Sequence, residues 1–180
     1  MKLRIFTFFI LGLLILTSGL SAEDRTKAQK LNYEGAKQLK ADPDKAIGLF
    51  EQAMQLDPSV PDYPNNIGVA YLNQKNYIKA LSYFQKATKI SSNYFRGHYN
   101  QGVCYQAMGK NKESVTAYKT ALKYNSKSPE TFFNLGIVYT RLNKKKSAVK
   151  YYKKFLEIAP SSMAKPIEDA KKRIKQMEGK

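Results

Sequence analysis

Three asparagines recur at a constant interval of thirty-four residues: Asn66, Asn100 and Asn134. Side chains of this type at this spacing could together bind a ligand by hydrogen bonds. An asparagine amide carries both hydrogen-bond donors and an acceptor, so a row of such side chains can bind an extended peptide backbone without reading its side chains. In an asparagine-rich chain the same residues could instead be ordinary polar surface. The first interpretation requires the three residues to occupy equivalent positions of a repeated structure.

The residue types that most often perform catalysis are isolated in this sequence. His98 is the only histidine, and no Cys, Ser or Asp motif is paired with it. Cys104 is the only cysteine, and its neighbours Val103 and Tyr105 indicate a packed, inert thiol rather than a reactive one. The sequence contains no cluster of metal ligands and no phosphate-binding glycine loop. We therefore predict a protein that is not an enzyme and that uses no metal, no cofactor and no small-molecule substrate.

A glycine followed three residues later by a tyrosine recurs at the same interval as the asparagines. The pairs are Gly68 and Tyr71, Gly102 and Tyr105, and Gly136 and Tyr139. Twelve residues after each glycine comes a small residue, and four residues further comes an aromatic one: Ala80 and Phe84, Ser114 and Tyr118, Ala148 and Tyr152. This pattern resembles the tetratricopeptide repeat (TPR) family, in which helix–turn–helix units stack into a solenoid. The resemblance implies an all-α fold in which the glycine lets helix A of each unit lie close to helix B.

A fourth unit precedes these three. Gly35 fits the glycine of a helix A, but Ala46, the matching small residue, follows it one position earlier than in the other units. We interpret this as one residue missing from the turn near Pro43; the alternative is a helical hairpin that is not a true repeat. The resemblance then covers a TPR domain of residues 23–160, with repeats at about 26–60, 61–94, 95–128 and 129–160.

The repeat register and the helix-ending residues of the turns predict the helices. The predicted ranges are 62–74, 77–90, 95–108, 111–124, 129–142 and 145–158. The turns between them contain Gly and Asn, which tolerate the left-handed conformation that ends a helix. Residues 161–180 follow as a separate segment with a helix over 163–177, whose apolar stripe is Ile167, Ala170, Ile174 and Met177. We interpret this segment as a capping helix; the alternative is a basic amphipathic helix on a membrane.

The resemblance also implies where a partner would bind. In TPR arrays the A helices line a concave groove, which here would comprise Asn66, Val69, Asn73, Arg96, Tyr99, Asn100, Val103, Phe133, Asn134, Ile137 and Arg141. Tyr99 and Phe133 could instead be partly buried between A helices. The carboxylate clamp of chaperone cofactors is incomplete, because its first-repeat Lys/Asn pair is missing.

The segment 1–22 is of a different kind. Lys2 and Arg4 precede an apolar run from Ile5 to Leu16, and small residues up to Ala22 follow it. This layout is typical of a secretory signal peptide, residues 1–22. The run is shorter than the ~20 apolar residues of a membrane-spanning helix, although an uncleaved N-terminal membrane anchor is the alternative. We predict cleavage after Ala22 and a protein that is exported, periplasmic or associated with the envelope.

The chain is strongly basic, with 31 Lys and Arg residues against 14 Asp and Glu residues. The excess could be compositional bias or could attract an anionic membrane or cell-wall surface through a basic patch: Lys144, Lys145, Lys146, Lys171, Lys172 and Arg173. Nucleic acid is not expected as a partner, because arginine is scarce and no binding motif is present. The sequence thus favours an exported scaffold that binds a protein or peptide in its groove, for envelope assembly or secretion, with surface binding as the alternative.

Overall fold

Four antiparallel helix pairs stack in chain order in the computed structural model, which describes residues 20–179. Each helix packs against the next one along the chain, and α3 also contacts α5. A ninth helix in this range lies against α8. The helices are α1 (Ala22–Gln38), α2 (Pro43–Leu56), α3 (Asp62–Asn73), α4 (Tyr77–Ile90), α5 (Phe95–Ala107), α6 (Asn111–Tyr124), α7 (Pro129–Arg141), α8 (Lys145–Ile158) and α9 (Ala164–Glu178), with a 3-10 turn at Ser161–Met163 before the last. The predicted all-α solenoid is confirmed, and helices α3 to α8 match their predicted bounds within one residue.

Each repeat glycine leaves a space on helix A, which we call a socket, and an aromatic ring of helix B fills it. A β-carbon on Gly68 would lie 2.6 Å from Cε1 of Phe84, and one on Gly102 would lie 2.5 Å from Cδ1 of Tyr118. Gly136 has the same relationship to Tyr152, at 2.5 Å. These distances are far below van der Waals contact, so each glycine is required by the helix B ring that packs on it.

The first helix pair uses the same socket. A β-carbon on Gly35 would lie 2.7 Å from Cε1 of Phe50, so the first helix pair packs in the same way as the other three. The prediction of a shortened turn is wrong. Helix α1 ends three residues after its glycine, whereas α3 and α5 end five residues after theirs, and the loop that follows α1 is one residue longer than theirs. The repeat is therefore shortened in the last turn of α1.

The turns within the other three repeats share one backbone conformation. Lys75, Gly109 and Asn143 have positive φ angles of 60°, 73° and 55°. The residue after each of them donates its backbone N–H to the carbonyl of the repeat tyrosine, as Asn76 does to Tyr71 at 2.8 Å. This is the helix-ending motif that Gly and Asn favour, which confirms the prediction at Gly109 and Asn143; in the second repeat Lys75 takes the conformation instead of Asn76.

Helix α9 caps the last repeat. Ala170 is fully buried, and Ile167, Ile174 and Met177 pack against the core cluster that includes Tyr152 and Phe155. Because the apolar stripe is covered by protein, the capping interpretation is confirmed.

Residues 1–19 of the predicted signal peptide lie outside the described residues. Ser21 is the N-cap of α1, and its Oγ accepts a hydrogen bond from the backbone N–H of Asp24 at 3.0 Å. Within residues 20–179, no helix combines the length and the apolar character needed to cross a bilayer.

Candidate functional site

Two neighbouring openings lie along the face formed by α3, α5 and α7, which we call the inner face. The first has a volume of about 450 Å³ and is lined by Asn65, Asn66, Val69, Phe95, Arg96, Tyr99, Asn100, Ser128 and Glu130. The second has a volume of about 270 Å³ and is lined by Tyr99, Val103, Gln106, Ala107, Tyr118, Asn134 and Arg141. Tyr99 belongs to both, so the two openings form one continuous surface.

Eight of the eleven groove residues predicted from the register line these openings. The other three lie elsewhere. Asn73 is exposed at the end of α3, and Ile137 is half-buried against the core. Phe133 packs against the rings of Tyr152 and Phe155, with centroid distances of 5.9 and 5.1 Å. Phe133 is therefore partly buried against helix B of its own repeat, whereas the half-buried Tyr99 contacts Asn134 on the next A helix.

The recurring asparagines connect neighbouring repeats. Nδ2 of Asn66 donates to Oδ1 of Asn32 at 2.8 Å, and Nδ2 of Asn100 donates to Oδ1 of Asn65 at 2.9 Å. Nδ2 of Asn134 donates to the hydroxyl oxygen of Tyr99 at 3.1 Å. We call these three bonds the inter-repeat ladder. Each bond reaches from one helix A to the helix A of the preceding repeat.

The ladder changes the interpretation of these asparagines. All three are half-buried, so their side chains do not simply face solvent. Among the described residues no group donates to Oδ1 of Asn100 or of Asn134. These two oxygens are acceptors that an extended peptide could use, and the ladder holds them in place.

The side chain of Tyr99 lies between the two openings. Its ring lies 6.0 Å from the ring of Phe95 and 5.6 Å from that of Tyr118, measured between centroids. Burial raises the pKa of Tyr99 above its ordinary value. The phenol therefore stays neutral to higher pH than an ordinary tyrosine, and its hydroxyl accepts the ladder bond from Asn134.

Each opening carries one exposed arginine. Nη1 of Arg96 lies 3.5 Å from Oδ1 of Asp62, which also accepts a hydrogen bond from the hydroxyl of Tyr94 at 2.8 Å. Nη1 of Arg141 donates to the backbone oxygen of Gln106 at 3.0 Å. Exposed ion pairs of this kind contribute only about 0–1 kcal/mol. The guanidinium group of Arg96 can therefore turn toward a partner at little energetic cost.

The predicted basic patch divides into two kinds of residue. The five lysines, at positions 144, 145, 146, 171 and 172, are exposed. Nε of Arg173 donates to Oδ2 of Asp169 at 2.7 Å, and this hydrogen bond raises the pKa of Arg173. The charge of Arg173 is therefore compensated locally, and the lysines supply the positive surface.

The isolated histidine and cysteine lie in structural positions. Nε2 of His98 lies 2.9 Å from the backbone oxygen of Ser92, and its ring stacks on Tyr124 with a centroid distance of 5.4 Å. Cys104 is fully buried, and burial raises the pKa of its thiol to about 12, so it is not a nucleophile near pH 7. In the part of the chain that the structure describes, no group of three or more His, Cys, Asp or Glu residues could hold a metal ion.

Some lining residues were not predicted. Phe95 and Ser128 lie at the first residue of a helix or just before it, outside the register positions assigned to the groove, whereas Glu130 is the counterpart of Arg96 and was omitted. Gln106 and Tyr118 line the second opening although Tyr118 belongs to helix B. Its ring packs on Gly102 and ends beside Gln106, whose Oε1 accepts a hydrogen bond from the Tyr118 hydroxyl at 2.9 Å. The missing side chain of Gly102 was the signal that could have revealed this.

Comparison with known families agrees with the helix pairs. Models described as "tetratricopeptide repeat" match residues 65–94 and 129–162, and one described as "TPR repeat" matches residues 105–143. The chain is a tetratricopeptide repeat protein. The TPR fold is that of a protein–protein interaction scaffold, and TPR modules are typically not enzymes.

Several solved structures resemble this TPR protein. The first TPR of Spaghetti (RPAP3) bound to the HSP90 peptide SRMEEVD is 26% identical, with a TM-score of 0.63, and the match covers 66% of this chain and 95% of that one. The first TPR domain of human RPAP3 is 25% identical, with a TM-score of 0.64 over 68% and 97% of the two chains. The crystal structure of MamA has 23% identity and a TM-score of 0.68 over 79% and 84%. No curated protein sequence matches the chain.

Proposed function

We propose that this TPR protein is a scaffold that holds an extended peptide segment of a partner protein along its inner face. The observation that carries the proposal is the continuity of the two openings through Tyr99. A surface of this form gives an extended chain apolar contacts at Val69 and Val103. The RPAP3 domain that was solved with an HSP90 peptide supports peptide binding as a use of this fold.

The polar groups suggest how such a segment is held. Oδ1 of Asn100 and Oδ1 of Asn134 can accept backbone N–H groups, because the ladder already occupies an N–H of each amide. Each such bond contributes about 0.5–1.5 kcal/mol net. Arg141 adds a positive charge at the second opening, which has no acidic lining residue, so a carboxylate of the partner is favoured there; at the first opening Glu130 offsets Arg96.

The proposed setting is outside the cytoplasm, in envelope assembly or secretion. It rests on the N-terminal charge, apolar run and small residues that resemble a signal peptide. N-terminal sequencing of protein from fractionated cells tests this setting separately from peptide binding. A chain that begins at Glu23 in the soluble exported fraction supports it, and intact Met1 in the membrane fraction supports an anchor instead.

A steric variant tests peptide binding without disturbing the ladder. Peptides are selected from a random library on the immobilised protein and titrated against Ala107→Trp, which fills the second opening from an exposed position. The matched control is Ala41→Trp, in the exposed loop after α1. We expect Ala107→Trp to weaken binding at least tenfold and Ala41→Trp to leave it unchanged.

Two results would count against the proposal. Failure to select any peptide would remove the evidence for a peptide ligand. Binding that survives Ala107→Trp but disappears in high salt would favour the exposed lysines at 144–146, 171 and 172, because exposed charges are screened over ~8 Å at physiological ionic strength. Anionic vesicles that bind with the same salt dependence would then identify a membrane-like surface as the partner.

A further inference from the structure

A third opening lies between helix B of the first repeat and helix B of the second, away from the residues of the inner face. It has a volume of about 550 Å³ and is lined by Met54, Pro58, Lys86, Lys89 and Ile90. We call it the outer opening. Ile90 is a large apolar residue at the end of α4 and is 38% exposed. The lining of the opening combines three apolar side chains with two lysines.

The repeat register explains why this junction differs from the next one. Tyr124 is the counterpart of Ile90 in the third repeat, and the ring of His98 stacks on it. The counterpart of His98 in the second repeat is Pro64, which is fully buried. Because proline has no extended side chain, it supplies no ring that could stack on Ile90 as His98 stacks on Tyr124. Ile90 therefore lacks the stacked ring that Tyr124 has, although both residues remain exposed, at 38% and 45%.

The two charged residues that line the outer opening are both positive. Lys86 and Lys89 are both exposed, and none of the five lining residues is acidic. Nζ of Lys86 lies 4.4 Å from the ring centroid of Tyr83, a contact that restrains the ammonium group beside the opening. The nearby carboxylate of Glu51 accepts a hydrogen bond from the Tyr83 hydroxyl at 3.3 Å, and Glu51 does not line the opening.

We infer that the outer opening is a second docking site, for an acidic segment of a partner protein that inserts one bulky apolar side chain between Met54 and Ile90. Burial of the apolar side chain supplies affinity, as at the centre of ordinary protein interfaces. The flanking carboxylates of the partner lie near Lys86 and Lys89 and select against basic segments. The site is independent of the inner face and would let the scaffold hold two segments at once.

Methionine methyl resonances give a local test. Met54 lines the outer opening, whereas Met108 lies beside Tyr77 and Ile78 at a different place on the surface and serves as an internal control. The methyl-labelled protein is titrated with three synthetic peptides: one phenylalanine flanked by glutamates, the same peptide with alanine for phenylalanine, and the same peptide with lysines for glutamates. We expect only the first peptide to shift the Met54 methyl signal, with Met108 unchanged.

Charge-reversal variants then test the two lysines. The double variant Lys86→Glu and Lys89→Glu changes two exposed residues, so the fold is retained, and we expect binding of the acidic peptide to weaken about tenfold or more. The matched control is Lys112→Glu and Lys123→Glu on α6, which makes the same change in net charge at exposed positions. The control should bind as the parent protein does.

The alternative results are distinguishable. An unmoved Met54 signal, an equal response to the alanine or lysine peptide, or equal weakening by both double variants would overturn the proposed site. Vesicles of anionic phospholipid that shift Met54 while the acidic peptide does not would show that the opening contacts lipid rather than protein. Because Ala107→Trp does not touch the outer opening, a loss of inner-face binding leaves these results unaffected.

Discussion

The ring of Tyr118 occupies the space in which Gly102 would carry a side chain: a β-carbon there would lie 2.5 Å from Cδ1 of the tyrosine. Tyr118 is fully buried, so its ring cannot move into solvent to make room. The glycine therefore serves close packing between α5 and α6. The backbone of Gly102 is also used, since Oγ of Ser114 donates to its carbonyl oxygen at 2.9 Å.

The first prediction compares two helical glycines. Gly102→Ala should destabilise the protein by about 1–3 kcal/mol, because it overpacks a filled site. Gly48→Ala on α2 is the matched control: a β-carbon there would meet no atom within 4 Å, so the change should stabilise by ~0.5–1 kcal/mol. Urea unfolding followed by circular dichroism measures both. Equal shifts for the two variants would show that Tyr118 does not set the requirement for glycine.

The second prediction concerns the left-handed turn residues. Lys75 has a φ of 60°, a conformation in which its β-carbon is crowded, and glycine adopts it without that penalty. Lys75→Gly should therefore raise the free energy of unfolding by up to ~1 kcal/mol. Gly109→Ala, at the equivalent turn with φ of 73°, should lower it by about the same amount. Thermal melting would contradict this account if the two changes moved stability in the same direction.

The third prediction concerns the inter-repeat ladder. Asn100→Ala removes the donor to Oδ1 of Asn65, which is only 3% exposed, so the variant should lose about 1–3 kcal/mol of stability. Asn73→Ala, at an exposed position on α3, should stay within about 0.5 kcal/mol of the parent. Chemical denaturation of both variants measures the difference. A stable Asn100→Ala protein would mean that the ladder bond contributes nothing and that the side chain is free for a ligand.

The fourth prediction is a dependence on alkaline pH. Burial raises the pKa of the Cys104 thiol from its ordinary value near 9.0 to about 12, so the folded protein holds this proton more tightly than the unfolded chain does. The resulting stabilisation is fully present below pH 9 and is lost as the pH rises toward 12. Burial of Tyr99 and Tyr118 raises the pKa of these phenols as well and acts in the same direction.

The matched variant isolates the contribution of the thiol. Cys104→Ala should be less stable than the parent at pH 7, because it leaves a cavity, yet its stability should fall less steeply between pH 9 and pH 12. The native thiol should also react slowly with a thiol reagent at pH 8 and rapidly in urea. Parallel pH profiles for the two proteins, or rapid native labelling, would contradict the burial of Cys104.

The repeat register predicted the fold well because it reports local geometry. Glycine, the small residue and the aromatic residue of each unit fix how one helix A meets its helix B, and the turn residues fix where the helices end. The contacts between repeats were not predictable in the same way. Whether the Asn134 amide faces a ligand or the hydroxyl of Tyr99 depends on the distance between successive A helices. That distance cannot be derived from the repeat register. Phe133 was misplaced for a different reason, since its ring turns toward Phe155 on helix B of its own repeat.

The most direct test of the central claim is a residue-by-residue map of peptide binding. A selected peptide is added to the isotopically labelled protein, and the backbone amide shifts are followed at low and at high salt. Binding along the inner face predicts that the largest shifts occur at Val69, Tyr99, Val103 and Arg141 and that they persist at high salt. Shifts confined to the lysines at 144–146, 171 and 172, and abolished by salt, would contradict the claim.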